Sequence, residues 1–441
     1  MRHSLLVLVA LALVAALAPA GAAAKPQTGV RPDPSFGNGL GYVTLSLSGQ
    51  STFALAATPT SDGIVVAGQA VPSTGTPQVL VAKFDSSGKL DPNFGTQGIF
   101  ISSLPDADGP FGANAIAQDA RGRLVVAGGY GQNSVLVMRL TATGQLDTTF
   151  GTGGLMTIPV GGVANSMALQ KDGRILVGGV NGTPDGKPMV VARLTPNGAV
   201  DPSFGTNGKT QILFWDPIRI AGAGLTGLAT TPNGQIVGSG HLDHIGAHGE
   251  GTAGVFRLTS SGHLDPGYGN GGGLDVEFTN PDGSLASWYA SAMTLSPNGR
   301  ATVTGDGLFG PGNAILTARL TAAGAPDPSF GPAGDGRVVI PGASDDSDTT
   351  GGAAELGGVF TLGVGSSFAQ LLPDGTPNEN FAPGGITNIG VPPQVDLNAT
   401  VLPRPHIAVL AGFVENVGNL YVSRWRLPPS RGAGQQRTQA P

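Results

Sequence analysis

The sequence predicts an all-β protein, a seven-bladed β-propeller with four antiparallel strands per blade. Three observations carry that expectation. A turn of the form Asp-x-x-Phe-Gly recurs at Asp33, Asp91, Asp147, Asp201, Asp265 (with Tyr268 for Phe) and Asp327, and a worn seventh copy runs from Asn378 to Phe381. The copies stand 51 to 64 residues apart, the spacing of a stacked supersecondary unit. Each interval holds four short apolar runs punctuated by Gly, Pro and Asp, the pattern of short strands joined by turns.

The third unit shows the four strands most plainly. Asn165 to Gln170 is strand A, Arg174 to Gly178 strand B, Met189 to Leu194 strand C and Lys209 to Leu213 strand D. Between A and B, Lys171-Asp172-Gly173 turns the chain, with Asp-Gly expected to supply positive φ angles. Such a sheet is apolar on both faces and cannot bury them alone. Radial stacking of twisted four-stranded sheets solves that problem and leaves only short edges. Stacked β-sandwich modules would instead need a separate core every unit, marginal at that size without disulfides.

The chain ends predict closure. Strand C occurs seven times, ending at Phe84, Leu140, Leu194, Leu258, Leu320, Leu372 and Leu427, but no turn motif or strand D follows the last. Gly41 to Leu47 is an orphan strand D at the other end. It is expected to complete the last blade, like a clasp. In the turn motif itself, Asp caps the bend, Pro presets φ, Gly follows at the reversal and Phe plugs the space between sheets. Repetition assigns these aspartates to the scaffold rather than to chemistry.

The 441 residues would suit two or three ordinary domains, but the repeat runs without a linker from Asp33 almost to Leu427, so residues 33–427 are expected as one domain. Residues 1–24 read as a signal peptide: Arg2 and His3, an apolar run from Leu5 to Leu17, and an Ala-x-Ala cleavage site at Ala22 to Ala24. A linker over 25–32 and a polar, aperiodic tail over 428–441 complete the division. The expected location is secreted, extracellular or in the cell envelope, with no membrane contact after cleavage and a monomeric state. Charged residues are 12% of the chain, the net charge is −6, and no Lys/Arg block occurs, which argues against nucleic acid and anionic membrane as partners. There is no cysteine, so disulfides, thiolate metal sites and thiol catalysis are excluded.

The recurrent string that includes Gly173-Arg-Ile-Leu-Val-Gly178, Ala192-Arg193-Leu194 and Asp201-Pro-Ser-Phe-Gly205 resembles the bacterial delta-60 repeat. The resemblance covers essentially the whole chain after residue 24. It implies a β-propeller of exported bacterial proteins, with no activity established for the class. Unit six departs from the pattern, since its strand C, Phe368 to Leu372, lacks the usual Arg.

In a propeller with strand A innermost, the variable B-to-C and D-to-A loops share one face, where function is expected. Blade four places His241, Asp243, His244, His248 and Glu250 in one B-to-C segment, imidazoles and carboxylates suited to a divalent metal as the possible cofactor. A polar surface loop is the plainer account. The D-to-A segments nearby carry Trp215 and Asp216, then Asp282, Trp288 and Tyr289. Exposed aromatics beside carboxylates suit a sugar or a peptide. The alternative is that the tryptophans plug gaps between blades. Asp345, Asp346 and Asp348 could attract Ca²⁺ but lack a calcium-loop pattern. Gly222 to Gly227 fits G-x-G-x-x-G yet precedes a strand, so it is no nucleotide site.

The residues point first to a non-catalytic binding scaffold for an extracellular protein, peptide or glycan. A structural component of a surface assembly comes next. A metal-dependent hydrolase or lyase on the His241/His244/His248 segment comes last.

Overall fold

The computed structural model describes residues 29–102, 112–131, 134–159, 162–180, 188–213, 220–244, 251–342, 352–356, 359–364, 367–388, 395–404, 406–414 and 417–428. The expected signal peptide and nearly all of the expected tail lie outside them. The described strands form seven antiparallel sheets, six of four strands in sequential order and one of five. Blades one to six span residues 50–102, 112–159, 164–212, 220–276, 287–341 and 352–388, and blade seven joins residues 395–426 to residues 31–45. No described helix is long and apolar enough to cross a membrane.

The clasp forms as expected. Strand Tyr42–Leu45 pairs with Asn419–Arg426, Tyr42 opposite Ser423 and Leu45 opposite Leu420. Arg31–Pro32, within the stretch expected as a linker, adds two residues to the same strand at Arg426 and Trp425. The A strands of successive blades touch around the whole circuit, the seventh against the first included.

Burial explains the stacking. Strands B and C are almost continuously buried, as in Ile64–Ala67 and Val79–Ala82, because each sheet is covered on both faces by its neighbours. Apolar clusters accordingly run between blades: Val65, Ala67, Val79 and Val81 of blade one pack on Leu124, Val126, Leu136 and Met138 of blade two. Each such side chain removed from water stabilises by about 1.5–3 kcal/mol.

The A-to-B turn is longer than the Asp-Gly reading implied. The N–H of Gln170 donates to Arg174 and that of Gly173 to Gln170, and Gly173 alone takes positive φ, at 83°. Asp172 instead accepts the Arg174 N–H at 3.0 Å. The Asp braces the bend by hydrogen bonding, and the Gly supplies the left-handed step.

Candidate functional site

The turn motif is a lock between blades. In each full copy the Asp accepts the backbone N–H two residues on, as Asp201 does from Ser203 at 3.1 Å and Asp33 from Ser35 at 3.0 Å. Its other oxygen receives Nε of an Arg in strand C, at 2.7–2.9 Å: Arg424 to Asp33, Arg139 to Asp147, Arg193 to Asp201, Arg257 to Asp265 and Arg319 to Asp327. Nη1 of the same Arg crosses to the next blade and donates to a C-to-D turn carbonyl: Ser86, Pro196, Ser260, Ala322 and Pro373 respectively. The guanidinium lies 4.4–5.0 Å over the motif's aromatic ring. The glycine after that ring donates to the adjoining carbonyl, as Gly151 does to Asn197 and Gly205 to Ser261. A buried charge pair costs desolvation, offset here because its N–H groups and oxygens find partners.

Two blades depart. Blade one has Lys83 on Asp91 at 2.9 Å, and blade six a neutral pair in which Asn378 Nδ2 donates to Gln370 Oε1 at 2.6 Å. These groups are scaffold, as the sequence implied.

The A strands enclose a central channel of about 960 Å³. Six of them carry a one-residue β-bulge, at Leu55, Asn114, Asn165, Thr226, Ser291 and Asn398. A bulge turns one residue out of the ladder and frees a carbonyl. Here the bulged side chains line the channel, and three satisfy the next blade: Asn114 donates to Ala164 at 3.0 Å, Thr226 to Ala290 at 2.9 Å and Asn398 to Ala54 at 2.9 Å. Leu55 apart, the result is a neutral polar belt.

Above the belt, toward the loop-rich face, His241, Tyr289 and Asp306 meet at the channel. His241 stands opposite Gly224, and Asp306 opposite Tyr289, at matching register in blades four and five. A Cβ on Gly224 would lie 2.1 Å from the imidazole, so the missing side chain makes the room His241 occupies. The imidazole meets the Tyr289 ring edge-on at 6.0 Å. Tyr289 remains 41% exposed, unusual for an aromatic on an inner strand. Burial pushes the His241 pKa down against the opposing charge of Asp243, which favours a neutral ring carrying one donor and one acceptor.

The expected site residues divide. Tyr289 and His241 belong to strands at this mouth, and Asp243 to the same strand as His241, not to loops: strand A of blade five begins at Ser287 and strand B of blade four runs to His244. Trp288 corrects the expectation of an exposed platform. It is wholly buried, donates Nε1–H to the Val276 carbonyl at 3.1 Å and packs edge-on against Phe278 at 5.1 Å. Strand alternation sends it outward between blades while Tyr289 faces the channel. Asp282 also leaves the site, since its carboxylate braces an exposed turn through the N–H and hydroxyl of Ser284. Trp215, Asp216, His248, Glu250 and Asp345 to Asp348 lie outside the described residues, as does the side chain of His244. Among the described residues no three His, Asp or Glu side chains gather as a metal site.

Sequence reasoning missed Asp306 and the belt. Asp306 sits mid-strand in Thr-Gly-Asp-Gly-Leu with nothing nearby to mark it. The belt does leave a trace, a polar residue between small or apolar ones in strand A: Ala-Asn-Ala, Ala-Asn-Ser, Leu-Thr-Gly, Ala-Ser-Ala and Leu-Asn-Ala.

Among curated proteins none matches this chain. Solved structures match it only at low identity. Sqt1 from Chaetomium thermophilum is 12% identical over 85% of this chain and 95% of its own, with a TM-score of 0.44. The polysaccharide lyase Uly1 is 10% identical over 85% and 90%, with a TM-score of 0.47. An endo-arabinase from Bacteroides thetaiotaomicron is 11% identical over 58% and 88%, with a TM-score of 0.31. At those values none carries an argument about function. Residues 60–94, 122–150, 170–204 and 296–330 match the family described as a domain of unknown function (DUF5122) beta-propeller, so the chain is built from repeats similar to a propeller family to which no function is attached.

Proposed function

We propose that this chain is an exported, non-catalytic binding propeller that engages an extracellular protein, peptide or glycan at the loop-side mouth of its channel. One observation carries the reading. Tyr289 stands exposed at the rim beside the half-buried His241 and Asp306, above a cavity large enough for part of a ligand. An aromatic face with a few convergent polar groups over a concavity is the usual make-up of a binding site. The repeated Asp and Arg groups are committed to one another, so catalysis draws no support from them.

Purified protein is screened by thermal shift against extracellular peptides, proteins and oligosaccharides, since a ligand of the native state raises its melting temperature. Tyr289→Ala and His241→Ala are each expected to weaken the best ligand about tenfold or more, roughly 1.4 kcal/mol. Undiminished affinity in both variants would move the binding site elsewhere.

A further inference from the structure

We infer that the ligand of this mouth is a neutral glycan, held end-on with a sugar ring against Tyr289 and its hydroxyls on His241, Asp306 and the polar belt. The inference rests on the mouth being the binding site and adds the chemical class.

Charge is the first argument. Among the described residues lining the channel, Asp306 is the one acid, and none is Lys or Arg. An anionic chain would meet no Lys or Arg among these residues to offset its charge, at short range and partly out of water. Phosphorylated, sulfated and uronate-bearing ligands are therefore disfavoured.

The polar groups of the channel point the same way. With the donors of Asn114, Thr226 and Asn398 given to the next blade, the wall offers the oxygens of Asn114, Thr226 and Ser291 as acceptors and the Asn165 side-chain N–H groups as donors. A carboxylate accepts from hydroxyl donors, and a neutral imidazole gives one hydrogen bond and takes another. Neighbouring sugar hydroxyls, each donor and acceptor at once, match that set. The Tyr289 ring supplies the flat apolar surface that the C–H face of a pyranose covers.

A third observation separates glycan from peptide. A peptide entering as an added strand must pair with backbone groups on the inner edges of the A strands. At Ala54, Ala164 and Ala290 those carbonyls already accept hydrogen bonds from Asn398, Asn114 and Thr226 of the preceding blade. A sugar bound through hydroxyls and one stacked face has no need of them.

The test titrates the purified full chain calorimetrically with neutral oligosaccharides, uronate-containing oligosaccharides of matched length, and a panel of extracellular-type peptides. Wild type is compared with Tyr289→Ala, Tyr289→Phe, His241→Ala and Asp306→Asn, each checked for an unchanged melting temperature. A neutral oligosaccharide is expected to bind at least about tenfold more tightly than its uronate counterpart. Tyr289→Ala should lose about tenfold or more, Tyr289→Phe should stay within about threefold by keeping the stacking face, and Asp306→Asn should narrow the neutral-to-uronate gap. Tyr289-dependent binding of a uronate or a peptide instead overturns the glycan assignment and leaves the mouth standing as the site. Neutral-glycan binding indifferent to both Tyr289→Ala and His241→Ala overturns the mouth itself. No binding by any member of the three sets overturns both.

Discussion

The aspartates of the repeat show how one residue type becomes structural when its surroundings are copied. Burial alone would raise the Asp33 carboxyl, but hydrogen bonds from Ser35 and Arg426 and the charge of Arg424 outweigh it and hold the group at about 2. At Asp201 burial likewise opposes, and Ser203, the Arg193 charge and Arg174 prevail, again giving about 2. Asp91, Asp147 and Asp327 are lowered in the same direction. A carboxyl whose folded pKa is depressed adds stability that is complete above its unfolded value, near 4, and is lost as pH falls through the folded value. The melting temperature should therefore hold level from pH 7 to about pH 5 and fall steeply between about pH 4 and pH 2. A flat profile down to pH 2 would show that these carboxylates carry little of the fold.

At the level of the element, the two irregular blades have different physical causes. The strand C Arg of one blade reaches into the C-to-D turn of the next. Blade six faces blade seven, whose strands C and D come from opposite ends of the chain, so no such turn exists there. A guanidinium in blade six would lack its receiving carbonyl, and the neutral Gln370 and Asn378 stand in its place. Around that seam Val30, Phe381, Trp425 and Leu427 pack together instead. Blade one is different, because blade two has an intact turn at Thr141 to Gly144. Lys83→Arg should therefore gain the Ala142 carbonyl and stabilise by about 1 kcal/mol, while Gln370→Arg should cost about 1–3 kcal/mol through a buried, incompletely paired charge. Urea denaturation midpoints measure both, and equal effects of one sign would refute the seam account. The sequence displayed the missing Arg in unit six, but its reason lies in a neighbour that only the closed ring creates.

For the whole molecule, stability depends on circular closure. Phe36, Leu45 and Leu47 of the N-terminal segment are buried among Ala54, Ile64, Ala411 and Val422, so the clasp joins blade seven to blade one. Losing three such side chains costs several kcal/mol by burial alone, comparable with the roughly 5–15 kcal/mol that holds a typical domain folded. A variant lacking residues 29–47 should lose its single cooperative calorimetric transition or aggregate through the bared edge of Asn419–Arg426. A transition at the parental temperature would mean the ring closes without its clasp.

Seven copies of a turn, four apolar runs in each and one phase mismatch at the ends were enough to derive blade number, strand count and the closing strand. Periodic signals of that kind arise because every blade must solve the same burial problem with the same local chemistry. The mouth was not legible in that way. Trp288 and Tyr289 are adjacent in sequence and equally aromatic, yet strand direction buries one between blades and opens the other to the channel. His241 and Asp306 are 65 residues apart in sequence and reach the same channel only because equivalent positions of consecutive blades are brought side by side. A repeat writes its scaffold many times over, but a binding site uses one residue from each copy, and only the ring decides which of them meet.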